Sequence, residues 1–286
     1  MNKNEKKAIS AGIVLFNPNI ERLNENIQAI VGQVDKVILF DNGSSNYVQI
    51  KSFLHNNYPQ CSLITSKQNE GIAYALNKIA SVALANGYKW LLTLDQDSVA
   101  SNNLISTYEK YLYLLNVGQL TCNNKDRNLS KIHGTNSKIE EVKYCITSGT
   151  ILNLDAWKKV NGFDSSMFID RVDNEFCCAL RAKEYKTYKL GFCGILHEMG
   201  NITKHYFFNK TVVVMNYNAM RYYYISKNSI LLARRYPHEE NIIATLLHEI
   251  KIEIKILLYE KGKGKKTLSI LRGIRDGFYR KKARSL

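Results

Sequence analysis

Trp90-Leu91-Leu92-Thr93-Leu94-Asp95-Gln96-Asp97-Ser98 runs largely apolar and then breaks into two carboxylates spaced Asp-x-Asp. Its length and hydrophobicity fit a buried strand bounded by polar residues. Strands buried on both faces belong to parallel α/β sheets, whose ligand sites lie beyond the carboxyl ends of the strands. Two carboxylates at i and i+2 there can meet one divalent cation. Hard oxygen ligands suit Mg²⁺ or Mn²⁺, which keep waters and bind substrate phosphates as well. The segment therefore points to a metal-bridged diphosphate and to group transfer from an activated donor. A plain turn after a strand is the competing reading.

The flanking sequence supports the sheet. Residues 8–16 read as a strand, followed by the turn Asn17-Pro18-Asn19 and a helix carried by Ile20, Leu23, Ile27, Ile30 and Val31. Val34 to Phe40 is a second strand ending in Asp41-Asn42-Gly43-Ser44-Ser45. A short helix around Phe53 and Leu54 precedes a strand at Ser62–Thr65. Asn69-Glu70-Gly71 then opens a helix that stops near Gly87. This β-α-β-α-β-α-β order predicts an α/β fold with a mostly parallel central sheet and helices on both faces. Residues 118–140 are polar and read as a loop. Beyond them, a strand over 144–152 and helices at 155–160 and from 172 are expected. A strand over 188–196 and an aromatic, helical remainder follow.

Composition narrows the class. The 286 residues are 45% hydrophobic and 23% charged, which suits a globular protein with a full core. No uncharged apolar stretch of 18 residues occurs, so no membrane span is expected. The first apolar run is short and lacks a cleavage-site pattern, so it reads as a strand rather than a signal peptide. Six cysteines without framework or zinc spacing read as reduced thiols of a cytoplasmic protein. Net charge is +15, from 40 basic and 25 acidic residues. Such an excess favours polyanions: nucleic acid, anionic lipid or nucleotide substrates. Between Lys251 and Arg284, twelve Lys or Arg stand against three acids, while the first hundred residues are nearly balanced. The basicity belongs to the C-terminal tail, and base-stacking aromatics do not interleave with it in the core. No nucleic-acid partner is therefore expected.

Several side chains are candidates for chemistry. Asn17 and Asp41 follow the first two strands and would face one crevice, where Asp41 can accept hydrogen bonds from a ribose or base; a turn-forming Asp is the plainer reading. Asn69 and Gly71 precede a helix, where backbone N–H groups favour anions; simple capping competes. Asp170, Asp173 and Glu175 form a second acidic cluster. A carboxylate there can take the proton of an attacking hydroxyl, or the group can serve only the helix dipole. His197 after a late strand is a candidate third metal ligand beside two carboxylates, or a structural histidine.

Taken together, the order Gly12-Ile13-Val14-Leu15-Phe16-Asn17-Pro18, Phe40-Asp41-Asn42-Gly43-Ser44, Asn69-Glu70-Gly71-Ile72-Ala73 and Leu94-Asp95-Gln96-Asp97-Ser98 carries a resemblance. It continues through Ser148-Gly149, Phe168-Ile169-Asp170, Val172-Asp173-Asn174-Glu175-Phe176-Cys177, His197-Glu198-Met199-Gly200 and Arg221-Tyr222-Tyr223-Tyr224 with Asn228. Over residues 8 to 235 the chain resembles family 2 inverting glycosyltransferases of the GT-A fold, in their rhamnosyltransferase-like branch. The resemblance implies that Asp41 binds the nucleotide and that Asp97 is the main ligand of Mn²⁺ or Mg²⁺, with Asp95 nearby and His197 completing the site. It implies Asp173 as the base. Arg181 stands in for a donor-contacting arginine that relatives carry near Ala179, and Glu184 stands where relatives carry glycine. It further implies a dTDP-L-rhamnose donor and a saccharide acceptor linked to polyprenyl diphosphate, in O-antigen, capsule or cell-wall synthesis. Another nucleotide sugar is the alternative donor. A nucleotidyltransferase is the alternative enzyme, but Asn17-Pro18-Asn19 lacks the glycine-rich basic loop it needs.

Residues 1–235 are thus expected to form the catalytic domain, and 236–286 a basic amphipathic helical extension. Its apolar stripe Ile250, Ile254, Leu257 and Leu258 and its lysines suggest attachment to an anionic membrane surface, the inner face of a bacterial plasma membrane; the competing reading is that this stripe packs on the catalytic domain and only the last residues are free.

Overall fold

The structure, a computed structural model, describes residues 8–126, 138–197, 203–207 and 210–280. Its first half is a run of βα units: β1 (Ile9–Leu15), α1 (Ile20–Ile30), β2 (Lys36–Asn42), α2 (Tyr47–Asn57), β3 (Ser62–Ser66), α3 (Ile72–Ala85) and β4 (Trp90–Asp95). A short β5 (Val99–Ala100), α4 (Leu104–Glu109), β6 (Val117–Asp126), β7 (Ile139–Glu141), β8 (Thr150–Asn153) and α5 (Leu154–Lys159) follow. Then come α6 (Val172–Arg181), β9 (Lys186–His197), the hairpin β10 (Thr203–Phe207) and β11 (Lys210–Val214), and three helices: α7 (Ala219–Arg235), α8 (Ile242–Tyr259) and α9 (Lys263–Tyr279).

The main sheet runs β3-β2-β1-β4-β8-β6-β9-β5, with β7 on β9. Pairing is parallel from β3 to β4, as the βαβ pattern requires. Beyond β4 the sheet is mixed: β8 joins antiparallel to β4 and β6, and β6 lies parallel to β9. The parallel half is what the apolar-strand pattern makes legible, and the mixed half is an addition to it. Part of the stretch expected as a loop, residues 118–126, is strand β6.

Successive strand residues point to opposite faces, and both faces are covered. Ile13, Leu15, Leu39, Leu92 and Leu94 pack under α1, α2 and α4 through Leu23, Ile27, Ile50, Leu54 and Tyr108. Val14, Ile38, Phe40 and Leu91 meet α3, α5 and α6 through Leu76, Ile79, Leu154, Phe176 and Leu180. A third, smaller apolar cluster joins Tyr222 of α7, Ile256 of α8 and Ile270 of α9. The helices after residue 235 are thereby packed onto α7.

Register sets the site. Leu15 pairs with Asp41 and Val14 with Asp95, so β1, β2 and β4 end level along one edge of the sheet.

Candidate functional site

Two shelves meet at that edge. On one, Asp41 is buried and accepts from the backbone N–H of Ser44 (3.3 Å) and from Thr65 Oγ1 (3.3 Å). Asn17 takes a left-handed φ of 48°. Its Oδ1 accepts from Ser45 N and Oγ, both at 2.8 Å, while its own N–H donates to Ser44 Oγ. The β1 and β2 turns are thus tied together. Asn42 Nδ2 donates to Asn69 Oδ1 (3.0 Å), and Asn42 Oδ1 accepts from Glu70 N (2.9 Å). Gly71 has φ +88°, and a Cβ on it would lie 2.5 Å from the Phe168 carbonyl oxygen. Ile72 N donates to that same oxygen at 2.8 Å. Only glycine gives the backbone both that angle and that approach.

The Asp-x-Asp turn is held by its backbone. Asn26 Nδ2 donates to the carbonyls of Asp95 (2.7 Å) and Ser98 (2.6 Å). Asp95 N donates to Ser148 Oγ (2.9 Å), and the Ser98 and Ser148 hydroxyls meet at 2.8 Å. Gln96 closes on the end of β1, accepting from Phe16 N at 2.8 Å and donating to Phe16 O at 3.3 Å. Neither Asn26 nor Gln96 stands out in the sequence, because nothing in an i, i+4 helix pattern or an Asp-Gln-Asp triplet tells which amide clamps which turn. Asp95 and Asp97 supply hard oxygens at a fixed turn, a donor set that fits Mg²⁺ or Mn²⁺ with part of the shell left to waters and phosphate. β5 pairs antiparallel with β9, Val99 against Leu196, and His197 is the next and last residue of β9. The His197 side chain and Glu198-Met199-Gly200 lie outside the described residues. Among the described residues no group of three or more metal-ligating side chains is gathered.

The second shelf is the entry to α6. Asp170 and Arg171 both take left-handed φ, 63° and 62°, in succession. Such backbone persists only where its surroundings impose it, and α7 does so. Arg221 donates to the Asp170 carboxylate (3.0–3.3 Å), Asn228 Nδ2 donates to the carbonyls of Ile169 and Asp170 (2.9 Å each), and Ser229 Oγ accepts from Arg171 Nε (3.1 Å). Tyr224 stacks on Phe168 at 5.0 Å. Residues 221, 224 and 228 share one helical stripe, which accounts for their recurrence in the motif. Burial works against the Arg221 charge, but Asp170 outweighs it and raises its pKa.

This strained turn aims Asp173 into a cavity of about 660 Å³ that Asp95, Thr93, Ser148, Asp170 and Arg221 also line. Desolvation raises the Asp173 pKa, against the lowering effects of the Asn174 N–H and Arg171. Glu175 is different: fully buried, it accepts from Arg235 Nη1 (2.9 Å) and Tyr236 Oη (3.0 Å) and anchors α6. Of the sequence candidates, Asp95, Asp170 and Asp173 share the cavity. Asn17, Asp41, Asn69 and Gly71 form the adjoining shelf, with Asp97 in the turn between. Arg181 is not brought to the cavity: its guanidinium pairs with Glu239 and with the Lys143 carbonyl. Sequence reading gave α8 no part in the site, yet His248, Ile252 and Lys255 at i, i+4 and i+7 form the cavity's outer wall.

The glycosyl transferase family 2 profile matches residues 10–172. The chain is 30% identical over 250 residues to the dTDP-rhamnosyl transferase RfbF of Shigella flexneri, covering 79% of this chain and 80% of that one. Its fold is similar to a TarS fragment from S. aureus, with TM-score 0.63 and 14% identity over 94% of this chain and 80% of that one. The mannosyltransferase PcManGT from Pyrobaculum calidifontis, solved with GDP-Man and Mn²⁺, gives TM-score 0.59 and 9% identity over 94% and 73%. With its βα shelf, its Asp-x-Asp turn and these relatives, the chain belongs to glycosyl transferase family 2 and carries the GT-A fold.

Proposed function

We propose that the enzyme transfers L-rhamnose from dTDP-L-rhamnose, with inversion, to a saccharide acceptor carried on polyprenyl diphosphate. Synthesis of an O-antigen, capsule or cell-wall glycan at the inner face of the bacterial plasma membrane is the setting. The observation that carries the reading is that Asp95 and Asp173 line one cavity from two different elements. On this reading Asp95 meets the donor diphosphate at a strand end, and Asp173 meets the acceptor hydroxyl. The donor sugar rests on the rhamnosyl-transferring relative.

Asp41 and the Asn17–Ser44–Ser45 knot would receive the nucleoside, and the Asn69–Gly71 turn would border the diphosphate. The Asp173 carboxylate accepts the acceptor hydroxyl's proton while that oxygen bonds to C1 of the sugar. The C1–O bond to the diphosphate breaks on the opposite side and dTDP leaves. That displacement inverts C1. Asp97, with Asp95 and His197, would hold Mn²⁺ or Mg²⁺, which neutralises charge on the leaving diphosphate. Arg221 pairs with the Asp170 carboxylate and fixes it, so the turn that carries Asp173 does not relax.

The test is a panel of dTDP-L-rhamnose, UDP-GlcNAc and GDP-Man assayed for Mn²⁺- or Mg²⁺-dependent hydrolysis and transfer. Turnover of the dTDP sugar alone, with an inverted anomer in the product, is the expected result. Turnover of another donor in its place overturns the rhamnosyl assignment, and a retained anomer overturns the single displacement.

A further inference from the structure

Helix α8 buries its charge and exposes its hydrocarbon. Its buried residues are Glu249 and Ile256, with the Glu249 carboxylate accepting from Ser226 Oγ at 2.5 Å. Ile243, Leu247, Ile250, Ile254, Leu257 and Leu258 face outward, each 48–66% exposed. They recur at i, i+4, i+7, i+11 and i+14, one continuous stripe. α9 repeats the pattern: Ile270, Gly273 and Gly277 pack inward while Leu268, Leu271, Phe278 and Tyr279 are exposed. A helix of a monomer in water is expected to turn such a stripe to the core. Two adjacent helices doing the reverse mark a docking surface.

Charge identifies the occupant. Exposed Lys251, Lys261, Lys263, Lys265 and Arg272 rim the apolar residues. The four acids between Ile242 and Tyr279 are drawn away from them: Glu249 to Ser226, Glu260 to Tyr222 and Lys266, Glu253 to Thr267, and Asp276 to Tyr223 and Arg275. A second copy docked face to face would set these cations against their own counterparts. An anionic bilayer neutralises them and takes up the hydrocarbon, the arrangement of an interfacial amphipathic helix. No helix among the described residues is long and apolar enough to cross a membrane, so the contact is peripheral.

We infer that the outward face of α8 and α9 docks this enzyme on an anionic lipid surface, as a folded part of the molecule rather than through its tail. The consequence for the site follows from α8 alone. His248 and Ile252, on its other side, wall the cavity that holds Asp173. Docking therefore sets that cavity beside the headgroups, where an acceptor carried on lipid presents its sugar. This use of the surface rests on the proposed acceptor, whereas the docking rests on the helix faces.

The test uses the full chain and vesicles of phosphatidylglycerol with phosphatidylethanolamine, against vesicles of phosphatidylcholine alone. Wild type is expected to float with the anionic vesicles, less so at high salt. The triple substitution Ile250→Gln, Ile254→Gln, Leu258→Gln should cut partitioning at least tenfold, while metal-dependent hydrolysis of dTDP-L-rhamnose in solution stays unchanged. Deleting residues 281–286 should leave most of the binding. Undiminished flotation of the triple variant, or no flotation of wild type, overturns the inference. So does light scattering that finds a wild-type dimer which the triple variant splits, because the face is then covered by a second copy. Failure of the donor assignment appears separately, as absence of dTDP-L-rhamnose turnover in a protein that still floats.

Discussion

At Asp173, catalytic need and stability oppose each other. Desolvation raises its pKa above the ordinary carboxylate value. A folded-state pKa above the unfolded one means that the folded protein binds the proton more readily. This contribution is therefore favourable below the unfolded pKa and is lost as pH rises through the folded pKa. Where Asp173 is ionised in the folded protein, its desolvation costs stability. Asp173→Asn should accordingly lower transfer by about 10²–10⁴-fold, the usual worth of a general base, and at the same time raise the metal-free thermal midpoint. Full activity in this variant with loss in Asp170→Asn assigns the base elsewhere, and a lowered midpoint overturns the cost of burying the charge. Asp97→Ala probes the other carboxylate. Metal-dependent donor turnover should vanish, while the variant still unfolds in one cooperative transition in the absence of metal. Wild-type turnover with Mn²⁺ would remove Asp97 from the metal site.

Elements explain which parts of the chain could be read in advance. β1 to β4 and their helices were legible because apolar strands alternate with amphipathic helices and each strand ends in a polar turn. β6 was not, because it buries polar residues that satisfy one another: Gln119 donates to Thr187 Oγ1 at 2.9 Å, and Thr150 donates to Thr121 Oγ1 at 3.0 Å. A hydropathy pattern reads such residues as solvent-facing. The α8 stripe was visible in sequence, but its direction was not, since burial of Glu249 with Ile254 outside inverts the usual inference. Asp173 and Glu175 likewise look equivalent on paper. Only the Arg235 and Tyr236 contacts separate a helix anchor from a cavity carboxylate. Glu175→Ala removes one carboxylate from Arg235, which also pairs with Asp164, and should destabilise by about 3–5 kcal/mol, as breaking a buried ion pair does, read as a drop in denaturation midpoint. Unchanged stability with lost transfer would make Glu175 a functional residue instead.

At the scale of the whole molecule, α8 and α9 are packed on α7 rather than hung from it. α9 lies so close to α7 that a Cβ at Gly273 would sit 2.4 Å from the Tyr223 carbonyl oxygen, and one at Gly277 would sit 2.7 Å from that of Lys227. The α7 residues under this contact, Ser226, Lys227 and Ile230, are buried, and neighbouring Asn228 and Ser229 hold the turn that aims Asp173. Strand-end geometry, α7 and the C-terminal helices therefore form one chain of support, from the α9 backbone to the Asp170–Asp173 turn. A chain ending at Arg235 keeps every residue of the nucleotide shelf but uncovers the α9-facing side of α7 and loses the His248–Ile252 wall. It should show dye-accessible apolar surface, a lower thermal midpoint and loss of transfer. The milder Gly273→Ala, in the full chain, should weaken stability by roughly 1–3 kcal/mol through overpacking, with part of the transfer rate lost as α7 shifts. If the 1–235 chain unfolds at the wild-type temperature and turns over donor at the wild-type rate, the catalytic domain ends where the sequence pattern puts it. The C-terminal helices are then dispensable to the site.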